Sequence, residues 1–217
     1  MNKPLLFIAA CLLAFNAFAQ PPRMDFVTSV KLDGVELAQP VNIQKLPKAF
    51  WVDGITKMSW VSECSANGEV YIDYKNRSVK LEFFPEDNPG IDLDGMFTKK
   101  TKPYRKYPLK AQIWVDWKDM RGFTESLKVD DKLIKPDLTF EEFKRIFPVS
   151  AAYKYPLDEL LYEHAYPGEE WSGAHMHDVT IGESDPDIIE PPYMGSVRFF
   201  FKDGKLVKLQ ILQGIAC

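Results

Sequence analysis

Apolar and polar residues alternate along several stretches of this chain, and alternation marks strands with one buried face. Val70-Tyr71-Ile72-Asp73-Tyr74 and Ser78-Val79-Lys80-Leu81-Glu82-Phe83 flank a Lys75-Asn76-Arg77 turn. Ala111-Gln112-Ile113-Trp114-Val115-Asp116-Trp117 reads as a further strand. Val197–Phe201 and Leu206–Ile211 flank Lys202-Asp203-Gly204-Lys205, and Asp-Gly between alternating runs predicts a hairpin. One stretch changes period. Phe140, Phe143, Ile146 and Phe147 recur at helical spacing behind Thr139-Phe140-Glu141-Glu142, a capping box that starts a helix.

The pattern repeats within the chain. Ser29-Val30-Lys31-Leu32-Asp33-Gly34 aligns with Ser126-Leu127-Lys128-Val129-Asp130-Asp131 at a shift of 97 residues. The register continues through Leu37 with Ile134, Val41 with Leu138, Ile43 with Phe140, Leu46 with Phe143, Lys48 with Arg145 and Phe50 with Phe147. Each copy predicts strand, turn, strand and helix, with the first helix shortened or restarted at Pro47. The strand pair at Val70–Phe83 then aligns with the one at Val197–Ile211. The expected fold is α+β: two similar strand-turn-strand-helix plus β-hairpin units with antiparallel sheets, in one body. The first unit covers 20–120 and the second 121–217, behind a leader at 1–19. The first unit carries an insert, Pro85 to Met120, and the second a longer one, about Pro148 to Met194. Inserts of this length are usually functional loops.

This layout resembles small bacterial proteins of unknown function that share three features: a strand-turn-strand-helix opening, a Thr-Phe-Glu-Glu-Phe-like helix start (here Thr139 to Phe143) and a Lys-Asp-Gly-Lys-Leu-like hairpin (here Lys202 to Leu206). The motifs are turns and caps, so the resemblance implies a fold. Some such proteins look like immunity or interaction proteins, which implies a binding role here.

The N-terminal segment sets the expected compartment. A positive Met1-Asn2-Lys3, an apolar run from Pro4 to Phe15 and Ala17-Phe18-Ala19 form the order of a cleavable secretory signal. The rival readings are an N-terminal anchor and a lipoprotein modified at Cys11, where Ile8-Ala9-Ala10-Cys11 looks like a lipobox. Cleavage after Ala19 leaves Cys64 and Cys217 in an oxidising compartment, and the two are expected to pair. That bridge would close a loop of about 150 residues, stabilising by roughly 5 kcal/mol in the chain-entropy model. The alternatives are two free thiols or an intermolecular bridge. The expected location is the periplasm or the outside of a Gram-negative cell.

Composition and charge narrow the function. A hydrophobic content of 46% and an aromatic content of 13% suffice for a buried core. The net charge is −4, which argues against nucleic acid and suits a basic protein partner. His164, His175, His177 and Asp178 supply ligand types for Zn²⁺, though no spacing of known mechanism is present. Asp87, Asp92 and Asp94 resemble a Ca²⁺ loop without its spacing. The run Lys99, Lys100, Lys102, Arg105, Lys106 and Lys110 offers a membrane-surface or acidic-partner contact. No nucleophile motif, Gly-rich phosphate loop or patterned carboxylate pair stands out. Aromatic and acidic residues of the second insert therefore become the expected partner-binding set: Tyr162, Tyr166, Trp171, Asp185, Asp187 and Glu190. The reading is a non-enzymatic periplasmic binding or inhibitory protein, in its sharpest form an immunity protein against an envelope-targeted toxin. The alternatives are a metal-dependent enzyme or metal binder at the histidine loop, and an envelope scaffold.

Overall fold

Paired Asp-led turns organise the smaller of two sheets. The computed structural model describes residues 24–46, 50, 55–59, 68–74, 77–98, 106–152, 155–156, 175–181 and 195–213, and every structural statement here concerns these. Its strands are β1 (Asp25–Val27), β2 (Val30–Leu32), β3 (Val35–Glu36), β4 (Val41–Asn42), β5 (Ile55–Ser59), β6 (Gly68–Tyr74) and β7 (Arg77–Phe83). They continue as β8 (Lys110–Trp117), β9 (Leu127–Val129), β10 (Lys132–Ile134), β11 (Tyr155–Pro156), β12 (His175–Ile181), β13 (Gly195–Lys202) and β14 (Lys205–Gln213). The helices are α1 (Leu93–Thr98), α2 (Phe140–Ile146) and α3 (Pro148–Ala152). The fold is mixed α and β, mostly sheet.

The smaller sheet runs β10-β9-β2-β3. Asp33 and Gly34 turn β2 into β3 with φ of 48° and 82°, and Asp130 and Asp131 turn β9 into β10 with φ of 44° and 62°. Positive φ at both central residues matches the twist of a two-residue hairpin. The two hairpins also hold each other. The Asp33 amide donates to the Ser126 carbonyl at 2.8 Å, and the Asp130 amide donates to the Ser29 carbonyl at 2.9 Å. The Asp33 carboxylate accepts from the Ser126 amide at 2.8 Å, and the Asp130 carboxylate accepts from the Ser29 amide at 3.0 Å. Each bond recurs with both partners moved by 97 residues.

The larger sheet runs β1-β12-β13-β14-β8-β7-β6-β5, with β11 also beside β12 and β4 beside β8. Its ladders are antiparallel except for β1 with β12. β14 and β8 meet in the middle, with Val115 opposite Ile211. Gln213 closes this seam: its side-chain oxygen accepts from the Ile113 amide at 2.7 Å, and its nitrogen donates to the carbonyls of Leu37 and Gln39. Alternation then sorts the side chains. Ala111, Ile113, Val115 and Trp117 of β8 enter the core with Val79, Leu81, Val197, Phe199, Leu209 and Ile211.

The helix α2 forms where its capping box begins. The Thr139 hydroxyl accepts from the Glu142 amide at 3.2 Å, and Glu142 accepts from the Thr139 amide at 2.9 Å. Phe143 and Phe147 bury completely against Phe199, with ring centroids 4.9 and 5.7 Å away. Ninety-seven residues earlier, Asn42 caps a single 3-10 turn, Ile43–Lys45, with Pro47 following in the sequence. Among the described residues no helix is long and apolar enough to cross a membrane.

Candidate binding face

The outer face of the larger sheet carries the candidate site, and the strand alternation of β8 creates it. Because Ile113, Val115 and Trp117 point inward, Gln112, Trp114 and Asp116 must point outward. β7 contributes Ser78, Lys80 and Glu82 to the same face, β6 contributes Glu69, Tyr71 and Asp73, and β14 contributes Gln210 and Leu212. Cross-strand register builds one row from them: Leu212, Trp114, Lys80, Tyr71 and Lys57. A groove of about 540 Å³ lies along this row. Trp114 and Tyr71 remain 36% and 38% exposed among mostly charged and polar neighbours on β6, β7 and β8.

Lys80 holds the row rigid. Its ammonium lies 4.7 Å from the Trp114 ring centroid and 5.7 Å from that of Tyr71. It pairs with Glu69 at 2.9 Å and, closer still, with Glu82. The Tyr71 hydroxyl donates to the second oxygen of Glu69 at 2.7 Å. Burial alone would favour a neutral Lys80, but its two carboxylates outweigh that and hold it charged well above the ordinary range. Burial likewise works against the Glu69 carboxylate, and the bonds from Lys80 and Tyr71 overcome it and lower its pKa. Glu82 differs. Burial raises its pKa, and Lys80 offsets only part of the effect. Burial and the bond to Glu69 raise Tyr71, which therefore stays a phenol.

The other half of this face is withdrawn from solvent. Met176, Thr180, Ser196, Phe200, Lys208 and Gln210 are all buried there. Asp178 meets Arg198 at 3.4 Å, and Lys208 meets Asp116 at 3.2 Å with its ammonium 5.4 Å from the Phe200 ring centroid. Burial pushes the Asp178 carboxyl up, against the pull of Arg198. A second, more open groove of about 860 Å³ lies by the β13–β14 turn, between Lys118, Arg121, Lys202 and Lys205. Lys118 pairs with Asp73 and Arg121 with Asp119, so internal carboxylates engage two of its cations.

The residues expected from sequence fall in different places. His175 and His177 share one face of β12, and Asp178 takes the other. His175 is exposed at the strand end. His177 is 1% exposed, its Nδ1 lies 3.0 Å from the Ser150 carbonyl, and its ring sits 4.9 and 5.4 Å from those of Phe140 and Phe143. Its surroundings are those of a core side chain, and Asp178 does not share them. Asp92 accepts from the Gly95 amide at 2.8 Å, which uses it as a turn cap. Among the described residues no group of three or more His, Cys, Asp or Glu could hold a metal ion. His164, the leader at 1–19, Cys64, Cys217 and the partner set Tyr162, Tyr166, Trp171, Asp185, Asp187 and Glu190 lie outside the described residues, as do Lys99, Lys100, Lys102 and Arg105 of the basic run.

The sequence reading passed over Trp114, Tyr71 and the Lys80 clamp. The signal was present in the phase of β8: Trp114 falls in step with Gln112 and Asp116, out of step with Ile113 and Val115. A large aromatic on the polar phase of a strand is an outward aromatic. None of the family models, curated proteins or solved structures compared with the chain matches it.

Proposed function

We propose that this chain is a non-enzymatic binding protein of the extracytoplasmic space, and that it docks a protein partner on the open half of its larger sheet. The exposed Trp114 and Tyr71, standing on a rigid sheet with Lys80 clamped between them, carry this reading. Trp and Tyr dominate interface energetics because they bury large areas at low entropic cost. A preordered pair spends little further entropy on binding. The signal-like segment and the net charge of −4 support an exported protein with a basic partner, and an inhibitory, immunity-type role is the sharpest form of the proposal.

The same proposal includes descent from two fused α+β units. Support comes from the strand orders, which with β1 set aside read alike from either end: β11-β12-β13-β14 meets β8-β7-β6-β5, and β10-β9 meets β2-β3. The reciprocal Asp–Ser bonds and the caps at Asn42 and Thr139 add to it. In this arrangement β14 answers to β8, so the β13–β14 hairpin answers to β7 with β8. The hairpin correspondence read from sequence, Val70–Phe83 with Val197–Ile211, is thereby moved by one strand.

The test is retention of envelope proteins of the producing cell by the immobilised full chain, compared with Trp114→Ala and Tyr71→Ala. We expect a discrete species that the wild type holds and both variants lose while both remain folded at the assay temperature. Retention of the same proteins by all three would overturn the reading.

A further inference from the structure

Resting on that docking reading, we infer that the partner presents an uncharged proline-rich segment in the polyproline II conformation, laid across the strands over Trp114, Lys80 and Tyr71. The charges of this half of the sheet argue for a neutral occupant. Lys57, Lys80, Lys118 and Lys208 balance Glu69, Glu82, Asp73 and Asp116, and each of these carboxylates already has a cation beside it. Asp73 also accepts from the Ser78 hydroxyl at 2.6 Å. The accessible groups still unused are donors. The Lys57 ammonium and the Trp114 indole N–H make no hydrogen bond among the described residues, and both side chains reach solvent. An occupant therefore gains by bringing acceptors, and gains little by bringing donors or charge. A proline-rich segment brings carbonyl oxygens, and its prolines bring no N–H.

The spacing of the two rings defines the conformation. Cross-strand register sets two rows along the groove, Tyr71-Lys80-Trp114-Leu212 and Asp73-Ser78-Asp116-Gln210, so the groove runs across the strands. β6 and β8 flank β7, and neighbouring strands lie about 4.8 Å apart, which places Tyr71 and Trp114 about 10 Å from each other. The Lys80 ammonium between them, 5.7 and 4.7 Å from the two ring centroids, agrees with that spacing. A polyproline II helix has three residues per turn and rises about 3.1 Å per residue, so residues i and i+3 face the same way about 9 Å apart. A Pro-x-x-Pro segment therefore sets one proline on each ring. A β-strand would not serve here. Lying on the face of a sheet rather than at its edge, it would leave its own N–H groups without ladder partners. The polyproline II backbone needs no such partners and arrives already ordered, which keeps the entropic cost low on a face that Lys80 holds rigid.

The test uses the full chain and a capped synthetic peptide, Ala-Pro-Pro-Ala-Pro-Pro-Ala, against its twin with every proline replaced by alanine. Binding is followed by fluorescence anisotropy of the labelled peptides and by the NMR shift of the Trp114 indole N–H. We expect the proline peptide to bind at least about tenfold more tightly, with little dependence on salt because neither side contributes net charge. Trp114→Ala and Tyr71→Ala should each remove most of that preference. Trp114→Phe keeps a ring but loses the indole N–H, and should weaken the proline peptide about threefold to tenfold. It also decides the matter if Trp114→Ala does not fold. Equal binding of the two peptides, no binding of either, binding that high salt abolishes, or a preference that survives both alanine substitutions overturns the inference. So does a dimer of the chain that Trp114→Ala dissolves in sedimentation, since a second copy would then occupy the groove. If the inference fails while retention of envelope proteins still depends on Trp114, the docking reading survives and only its proline-rich form is lost. If retention ignores Trp114, the docking reading fails as well.

Discussion

Trp114 and Trp117 lie three residues apart on β8 and point to opposite faces, so truncating each measures what its face contributes. Trp117 is 1% exposed, and its ring meets Phe123 edge-on at 5.1 Å. Removing it opens a cavity between well-packed neighbours, and Trp117→Ala should cost about 3–5 kcal/mol. Trp114→Ala removes a ring already 36% exposed and one cation–π contact, worth about 0.5–1 kcal/mol. Water refills the space it leaves, so the total should stay near 1–2 kcal/mol. The expected gap is therefore roughly 2–3 kcal/mol, a separation of several degrees in melting temperature for a chain of this size. Urea unfolding resolves it, with an unchanged m-value as the sign that both variants start from the same fold. Acrylamide quenching gives an independent reading: Trp114→Ala should remove quenchable emission, and Trp117→Ala should not. Equal costs, or a more accessible Trp117, would refute the assignment of the two faces and the binding face with it.

Further outcomes follow from local geometry. A Cβ added at Gly68 would land on the Phe97 ring, so Gly68→Ala should destabilise, and Phe97→Leu should recover part of the loss in a double-mutant cycle. Thr139→Ala should cost about 1 kcal/mol by removing a helix cap, as thermal unfolding will read. Bonds from the Thr139 amide and hydroxyl lower the pKa of Glu142. A carboxyl whose pKa is lowered on folding stabilises above its unfolded pKa, and that contribution is lost as pH falls through the folded value. The stability difference between wild type and Glu142→Gln should therefore be present at neutral pH and shrink below about pH 4.

Much of the fold was legible because it is written in short-range patterns. The turns at Asp33-Gly34, Asp130-Asp131 and Asp203-Gly204 adopt the positive φ that their residue types permit, and Thr139 caps α2. Strand phase was legible too, since each alternating run buries its apolar set. The role of individual polar residues was not. His177 looked like a ligand beside Asp178, but a one-residue step along a strand changes faces, and only the tertiary fold places Phe140 and Phe143 around the imidazole. The Lys80 clamp needs three strands in register, and no local pattern announces that Glu69, Glu82 and Trp114 converge on one ammonium.

The seam between β8 and β14 constrains how the chain is made. β8 and β14 are neighbours in the sheet but lie about a hundred residues apart in the chain, and contacts of such long range close slowly. Until Lys205–Gln213 emerges, most of β8 facing that side is an open edge, with unpaired amides and carbonyls in the middle of what will become the sheet. Open edges are templates for pairing with other chains. A chain truncated before β14 should therefore aggregate through β8. β14 is in effect a closing step: it converts an aggregation-prone edge into the centre of a sheet, and the growing chain is most vulnerable until β14 has emerged.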